Sequence, residues 1–183
     1  EGEPLLRGKD LARAIGIVRR KTSCGTINLN TNGSLPGELK RLIEAGLDSV
    51  RISLNSPAQK YYERYFRPKA YSFNDVLQSF EIAIAAGIFV SMNLFFLPGF
   101  TDSESEAEAL FSFLEKFPVS MIQTRNLNID PDIYLDAIEW EESKPLGIRK
   151  LLKMIRTKFP RMKIGYYNPP REKFAYIEKT KNL

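Results

Sequence analysis

Residues 36–54, PGELKRLIEAGLDSVRISL, contain a complete helix-to-strand unit, and this unit decides how the rest of the chain is interpreted. Pro36 suits the first turn of a helix, apolar residues follow at helical spacing, and Gly46 ends the helix. Residues 49–54 then form a short predicted strand. The same order recurs where IAAG (84–87) precedes FVSMNLFF (89–96). This repeat predicts parallel strands joined by crossover helices.

The pattern continues outward from these two units in both directions. Further helices are predicted at 9–22, 61–66, 72–86, 103–116 and 146–159, and further strands at 26–31, 121–129 and 162–167. The helix at 103–116 has an acidic first turn, with Glu104 and Glu106, that suits the helix dipole. No linker or low-complexity segment interrupts the alternation. We therefore expect a single domain over 1–183, with barrel units in about 1–143 and a basic helix, strand and tail in 144–183. Periodicity alone leaves an open doubly wound sheet and a barrel as alternatives.

Composition excludes several kinds of protein. The chain has 183 residues, of which 43% are hydrophobic and 27% charged, as expected for a globular domain. With one cysteine and no histidine, it cannot by itself form a His-based triad, a Cys/His zinc site or an all-Cys cluster. The apolar stretches fall short of the ~18 residues that a membrane helix needs. The first residues do not resemble a signal peptide. We expect a cytoplasmic protein with no membrane partner.

Charge is distributed unevenly along the chain. The net charge is +5, but residues 144–183 contain 12 Lys/Arg and only two acids, Glu172 and Glu178. A basic stretch of this kind is compatible with nucleic acid, an acidic partner or a phosphate. The plainer interpretation is a solvated helix face followed by a tail.

Polar residues collect where predicted strands end, which is where ligands bind in parallel β/α folds. The set comprises Thr31, Asn32, Ser53, Asn55, Asn93, Arg125 and Asn126. Asn and Ser also end strands simply because they favour turns. Four strands that end alike in hydrogen-bonding groups favour a neutral or zwitterionic ligand with ribose and amide groups over a metal cage.

Four segments resemble one known family. Gly2-Glu3-Pro4, followed by Leu5-Leu6 and a helix, resembles the Gly-Gly-Glu-Pro motif of the radical S-adenosylmethionine (radical SAM) superfamily. LNTNG (29–33), VRISLN (50–55) and NLFFLPGFTD (93–102) resemble that family's third strand and turn, its fourth strand, and its fifth strand with the following loop. The resemblance covers roughly residues 1–130. Within the superfamily, the sequence resembles activases of the pyruvate-formate-lyase-activating type.

This resemblance implies both a fold and an activity. The fold would be a partial (β/α)6 TIM-like open barrel with parallel strands, truncated here at the N-terminus. Members bind SAM and a [4Fe-4S] cluster, and they split SAM into methionine and a 5′-deoxyadenosyl radical that takes a hydrogen atom from the substrate. The implied partners are an electron donor such as flavodoxin or ferredoxin and an unknown substrate: a glycyl-radical enzyme, a peptide or a nucleic acid.

The resemblance also implies roles for particular residues. Glu3, within Gly2-Glu3-Pro4, would hold the SAM amino group through a charge-assisted hydrogen bond. Ser53 and Asn55 would approach the ribose or carboxylate, and Arg125 and Asn126 the carboxylate or the adenine edge. The remaining predicted cofactor-binding residues are Thr31, Asn32 and Asn93. No catalytic residue and no metal ligand is assigned to this chain.

The sequence departs from the family in two places. Glu1 replaces the first glycine of the motif, and the cluster motif Cys-x3-Cys-x2-Cys, which lies upstream of Gly-Gly-Glu-Pro in relatives, is not present. Cys24 follows a helix on the amino side of the barrel, and we expect it to be a small buried or half-exposed thiol. We therefore expect the C-terminal part of a radical SAM enzyme, unable to hold its cluster alone.

Two other functions stay open. One is a non-radical β/α-barrel enzyme that acts on a small phosphorylated metabolite. The other is a binding module that uses the basic C-terminal stretch. Among the remaining features, the aromatic residues of 61–66 and Phe95-Phe96 are expected in the core. Asp130, Asp132 and Asp136 are expected to form a capped turn and not a cation site.

Overall fold

The computed structural model describes residues 2–174, in which one sheet of five parallel strands is the central element. The strands are β1 (Asn28–Thr31), β2 (Ser49–Leu54), β3 (Phe89–Phe96), β4 (Met121–Asn126) and β5 (Lys163–Gly165). Their order in the sheet is their order in the chain, and every neighbouring pair is parallel. The predicted fold class, a parallel α/β partial barrel, is confirmed.

Helices connect the strands. They are α1 (Gly8–Lys21), α2 (Pro36–Glu44), α3 (Gln59–Phe66), α4 (Phe73–Ala85), α5 (Glu104–Lys116), α6 (Pro131–Ala137) and α7 (Ile148–Lys158), with short 3-10 helices at Pro4–Arg7 and Arg171–Lys173. The predicted helix bounds hold to within about two residues, a margin that is usual for helix ends. Local capping explains several of them. For example, Ser72 and Asp75 form a reciprocal capping box at the start of α4.

The helices pack on one face of the sheet. Because consecutive parallel strands are adjacent and crossovers are right-handed, every crossover helix falls on the same side. Val50, Ile52 and Leu54 point toward the helices and are fully buried in the main core. Alternate residues point the other way. We call that side the inner face, and it comprises Asn28, Asn30, Ser49, Arg51, Ser53, Phe89, Ser91, Asn93, Phe95, Met121, Gln123, Arg125, Lys163 and Gly165.

Helix α6 was not predicted. The predicted strand 121–129 ends at Asn126, because Asp130 and Pro131 begin a helix a few residues later. The Asp130 carboxylate accepts hydrogen bonds from the backbone N–H of Asp132 (2.9 Å) and Ile133 (3.3 Å). The predicted cap is therefore confirmed, but it starts a helix.

An aromatic cluster covers the carboxyl edge of the sheet, where α3 and α6 meet. Tyr61, Phe100, Tyr134 and Ile138 are buried there, with the rings of Tyr61 and Phe100 edge to face at 5.4 Å. Tyr61 and Tyr62 thus lie in the core, as predicted.

The chain returns across the inner face after β5, through residues 166–174, which we call the C-terminal strap. The ring of Phe174 stacks on that of Phe89 at 4.8 Å. Arg171 donates its backbone N–H to Thr26 Oγ1 (2.7 Å) and lies 3.4 Å from the carboxylate of Asp48. The strap is thereby fixed at the amino edge of the sheet. In the described part of the chain, no helix has the length and hydropathy required to cross a membrane.

Candidate functional site

Glu3 fixes the N-terminal segment to the carboxyl end of β1. Its Oε1 accepts hydrogen bonds from Leu5 N (3.0 Å) and Thr31 Oγ1, and its Oε2 accepts one from Asn32 N at 2.8 Å. A carboxylate offers about four acceptor positions, so one remains for a ligand. Glu3 is thus both a structural anchor and a residue able to meet one further donor.

A tight turn presents the backbone of Asn32 to this carboxylate. Gly33 has a φ of +73°, and a Cβ there would lie 3.0 Å from Ile52 Cγ2, so the position requires glycine. The turn is closed by hydrogen bonds from Gly33 N to Thr31 Oγ1 (3.0 Å) and from Ser79 Oγ to Gly33 O (2.6 Å). The Asn32 side chain is occupied locally, accepting from Ser34 N.

Three polar side chains form a row across the inner face, in register on β2, β3 and β4. They are Ser53, Asn93 and Gln123. Asn93 donates Nδ2–H to Ser53 Oγ (3.3 Å), and Gln123 donates to the carbonyl oxygen of Tyr167 in the strap (2.8 Å). Asn93 Oδ1 and Gln123 Oε1 are buried and have no hydrogen-bond partner within residues 2–174. Buried acceptors normally accept a hydrogen bond. These two orphan oxygens, buried acceptors without a hydrogen-bond partner, therefore indicate a ligand with donor groups.

Asn55 lies apart from this row, beneath the aromatic cluster. It is 1% exposed and donates to Tyr61 O (2.9 Å) and to the Tyr134 hydroxyl (3.2 Å). Burial of Tyr134 raises the pKa of its hydroxyl, so it stays protonated. Asn55 therefore ties the end of β2 to α3 and α6, and only its Oδ1 is left without a partner among the described residues.

The loop after β2 is held by a buried acid that the sequence did not indicate. Glu106, 3% exposed, accepts a hydrogen bond from Ser56 Oγ at 2.7 Å. Ser56 in turn caps the loop before α3 by accepting from Ala58 N (2.9 Å). Desolvation raises the pKa of Glu106 to about 7, although the bond from Ser56 and the charge of Lys60 oppose the shift.

Arg125 and Asn126 are both exposed at the end of β4 but point to opposite faces. Arg125 lies on the inner face with the polar row, two residues beyond Gln123. Asn126 lies on the side of the helices, because side chains alternate along a strand. The structure thus brings Ser53, Asn93 and Arg125 onto one face and places Glu3, Thr31 and Asn32 at the end of β1. Gly2 is exposed and Pro4 opens the first 3-10 helix.

Arg51 was missed as a site residue. It lies on the inner face, two residues before Ser53, where its guanidinium donates to Asn168 Oδ1 and sits 5.7 Å from the ring centroid of Tyr166. Its Nε is buried without a partner in the described chain. Burial lowers the pKa of Arg51, and the nearby charge of Arg125 adds to this, while Tyr166 acts in the opposite direction. The period-two pattern VRIS was a usable signal, since it places Arg51 on the same face as Ser53.

No cluster-binding set occurs within residues 2–174. Three or more Cys, His, Asp or Glu side chains arranged for a metal ion are absent there. Cys24 is exposed and follows α1, at the amino side of the sheet. The described residues therefore do not fit an iron–sulfur cluster.

A partial parallel barrel with polar groups at its carboxyl edge defines the class of β/α-barrel enzymes that bind ligands at strand ends. Comparison with known proteins then gives the family: residues 1–111 match the Radical SAM superfamily. The chain belongs to the Radical SAM superfamily. Members of this family use SAM and a [4Fe-4S] cluster.

Particular relatives agree with this assignment. A probable GTP 3′,8-cyclase of Aeropyrum pernix is 35% identical over 104 residues, which cover 56% of this chain and 28% of that protein. Molybdenum cofactor biosynthesis protein 1 of Mus musculus is 29% identical over 161 residues, covering 87% of this chain and 24% of that protein. The chain thus spans about a quarter of these relatives.

A solved structure shows the same fold. A domain of pyruvate-formate lyase-activating enzyme from Bacteroides vulgatus aligns with a TM-score of 0.63 at 12% identity, covering 92% of this chain and 96% of that one.

The carboxyl edge fits SAM. SAM presents an ammonium group and ribose hydroxyls as donors, and the edge offers a free acceptor position on Glu3 together with the orphan oxygen of Asn93. Ser53 adds a hydroxyl beside Asn93. Among the described residues this edge has no group of three metal-ligating side chains, so its acceptors match a donor-rich organic ligand better than a bare metal ion.

Proposed function

We propose that this chain forms the SAM-binding part of a radical SAM enzyme, whose complete form cleaves SAM reductively and uses the 5′-deoxyadenosyl radical for hydrogen abstraction. A [4Fe-4S] cluster held by another segment, and reduced by a donor such as flavodoxin or ferredoxin, would supply the electron for this cleavage. The products of this cleavage are methionine and the radical. We place this enzyme in the cytoplasm.

The buried orphan oxygen of Asn93 carries the proposal. It lies on the inner face of β3, hydrogen-bonded through its amide nitrogen to Ser53, and its acceptor is left for a bound molecule. A buried amide oxygen without a partner costs roughly 1–3 kcal/mol. A ligand hydroxyl or ammonium would remove that cost.

Most remaining residues of the predicted set have a defined task in this proposal. Glu3 accepts from the SAM ammonium with its one free position, while Thr31 and Asn32 hold its carboxylate in place. Asn55 has mainly a structural role, since its amide hydrogens are donated to Tyr61 and Tyr134. Arg125 contacts the outer part of the ligand from the inner face at the end of β4, whereas Asn126 points to the helix side and is not assigned to the ligand. Gly2 and Pro4 shape the turn that carries Glu3.

We propose two alternative reactions for the 5′-deoxyadenosyl radical. Activation of a glycyl-radical enzyme is the first, supported by the resemblance of the Gly-Glu-Pro and strand segments to activases. Hydrogen abstraction from a nucleotide is the second, and it is supported by relatives named GTP 3′,8-cyclase, of which the Aeropyrum pernix protein is 35% identical to this chain over 104 residues.

Anaerobic turnover tests the proposal. A protein extended by the coding sequence upstream of Glu1 is reconstituted with iron and sulfide, reduced, and supplied with SAM. We expect 5′-deoxyadenosine, at a rate that falls in Asn93→Ala and is unchanged in Arg149→Gln, an exposed position on α7. Absence of 5′-deoxyadenosine from a protein with a full cluster would reject the proposal. GTP and a glycyl-radical enzyme are then added separately. The one that raises the rate of 5′-deoxyadenosine formation is the substrate.

A further inference from the structure

Two loops meet at the carboxyl edge of the sheet, one after β2 (residues 55–58) and one after β3 (residues 97–103). The loop after β3 is closed by hydrogen bonds among its own residues. The loop after β2 depends more on other elements, because the amide group of Asn55 binds α3 and α6 while Ser56 binds α5. These contacts therefore decide how firmly the loop after β2 is held.

Glu106 provides the hydrogen bond that joins α5 to the loop after β2. Its Oε2 accepts from Ser56 Oγ at 2.7 Å. In the part of the chain that the structure describes, no other hydrogen bond connects this loop with α5 or with the loop after β3. Ser56 directly follows Asn55 and lies three residues beyond Ser53, so the bond from Glu106 also steadies the end of β2.

A carboxyl group is a costly choice for this position. Ser56 requires only an acceptor, which an uncharged amide would also supply, whereas a carboxylate loses its hydration when it is buried. Glu106 is buried, and its Oε1 accepts no hydrogen bond from any of residues 2–174. An ionisable side chain at this position makes the contact between α5 and the loop sensitive to protonation.

The charges around Glu106 leave its carboxylate poorly compensated. Its titratable neighbours are Lys60 on α3, Tyr134 on α6, and Glu104 and Glu108 on α5 itself. Lys60 supplies the only positive charge of this group, and it is exposed and pairs with Glu141 at 3.2 Å. Burial raises the pKa of the Tyr134 hydroxyl, so that residue stays neutral.

The direction of the pH effect follows from proton linkage. Burial raises the pKa of Glu106 from 4.5 to about 7. When the loop opens and water reaches the carboxyl group, the pKa returns towards its ordinary, lower value, and the open conformation binds fewer protons. Opening is therefore opposed at acidic pH and becomes easier as the pH rises through the raised pKa of the closed conformation.

We propose that Glu106 is a positioning residue that holds the loop after β2 against α5 while its carboxyl group is neutral and releases the loop when it is ionised. Because Ser53 and Asn55 precede this loop, its release loosens the end of β2 at the carboxyl edge. The consequence for ligand binding rests on the proposed function: SAM binds more tightly when the loop is held.

Amide hydrogen exchange of residues 55–61, followed by mass spectrometry on the 183-residue chain, tests the release without SAM or a cluster. Exchange rates are divided by the intrinsic rates at each pH to give protection factors. We expect protection in the unmodified chain to fall by about 100-fold between about pH 5 and about pH 8, since one pKa unit corresponds to a factor of ten. Glu106→Gln should keep its protection over this range. Glu104→Gln, an exposed position in the same turn, is the matched control and should behave as the unmodified chain does.

Ser56→Ala tests the same contact from the other side. It removes the donor to Glu106, so protection of residues 55–61 should be several-fold lower already at acidic pH. This variant keeps the inference testable even if Glu106→Gln does not fold. Protection that does not change with pH in the unmodified chain would overturn the inference. An equal fall in Glu106→Gln, or unchanged protection in Ser56→Ala, would also overturn it.

Calorimetric titration of SAM into the upstream-extended, reconstituted protein tests the consequence for binding. The unmodified protein and Glu106→Gln should bind SAM equally at about pH 6, and the unmodified protein should bind several-fold more weakly at about pH 8. Comparing the two proteins at one pH cancels any titration of SAM itself. Equal affinities at both pH values would overturn the positioning role. Absence of SAM binding in both proteins would reject the proposed function instead, while the exchange experiment would still decide whether Glu106 controls the loop.

Discussion

Replacing Glu106 with glutamine should remove most of the pH dependence of the free energy of unfolding between about pH 5 and about pH 8. Glu106 is buried, its Oε2 accepts from Ser56 Oγ at 2.7 Å, and its Oε1 has no partner in the described part of the chain. Burial raises the pKa of this carboxyl from 4.5 to about 7. Its folded pKa lies above its unfolded pKa, so the folded state binds more protons between the two values. The stabilisation that Glu106 contributes is fully present below its unfolded pKa and is lost as the pH rises through its folded pKa.

The size of the effect follows from the difference between the folded and unfolded pKa values of Glu106. At 1.36 kcal/mol per unit, a shift of this size corresponds to a loss on the order of 3 kcal/mol from mildly acidic to mildly alkaline pH. The chain has no histidine, so few other groups titrate between about pH 5 and about pH 8. Glutamine keeps an acceptor for Ser56 and carries no charge. Glu106→Gln should therefore match the unmodified chain at about pH 5 and be more stable at about pH 8.

Urea unfolding followed by circular dichroism across this pH range measures the effect. Glu104→Gln is the matched control, because Glu104 lies in the same first turn of α5 but is exposed. The reasoning is refuted if the unmodified chain and Glu106→Gln show the same dependence on pH, or if Glu104→Gln removes it equally.

Three further results are expected. Glu3→Gln should lower the free energy of unfolding by roughly 1.5–3 kcal/mol in urea titrations, because an uncharged amide replaces a carboxylate that accepts from Leu5, Thr31 and Asn32; unchanged stability would show that these bonds do not anchor the segment. Tyr134→Phe should cost about 1 kcal/mol in the same assay, since the hydroxyl that accepts from Asn55 is lost, and an equal cost for exposed Tyr166→Phe would contradict this. Anaerobic reconstitution of the 183-residue chain should give no stable [4Fe-4S] absorbance, and a stoichiometric cluster would contradict the assignment of its ligands to another segment.

Much of the fold could be predicted from local sequence. The helix-glycine-strand repeat at residues 43–54 and 84–96 predicted parallel strands with crossover helices, because each unit is encoded by short-range signals, but periodicity left open whether the helices cover one face of the sheet or both. The same kind of local signal marks the start of α6, where only a capped turn was predicted. Asp130 followed by Pro131 is an N-cap followed by the residue most suited to a first helical turn. The alternation of strands and helices also predicts that the polar residues at the strand ends lie together at one edge of the sheet.

Long-range contacts account for what sequence could not show. Ser103 and Glu106 have capping-box spacing, which predicts a side chain turned back to its own helix. Glu106 instead reaches Ser56, and only the packing of α5 against the loop after β2 decides this. Arg51 is similar, since its contact Asn168 lies 117 residues away in the chain. No local pattern reveals such a partner.

Calorimetric titration of SAM into the upstream-extended, reconstituted protein tests the central claim most directly. If the carboxyl edge binds SAM, Asn93→Ala and Ser53→Ala should each weaken binding by several-fold, since neutral hydrogen bonds contribute about 0.5–1.5 kcal/mol. Asn168→Ala, which alters only the strap's contact with Arg51, should leave SAM affinity unchanged. Equal SAM affinity in the unmodified protein, Asn93→Ala and Ser53→Ala would contradict a SAM site at this edge.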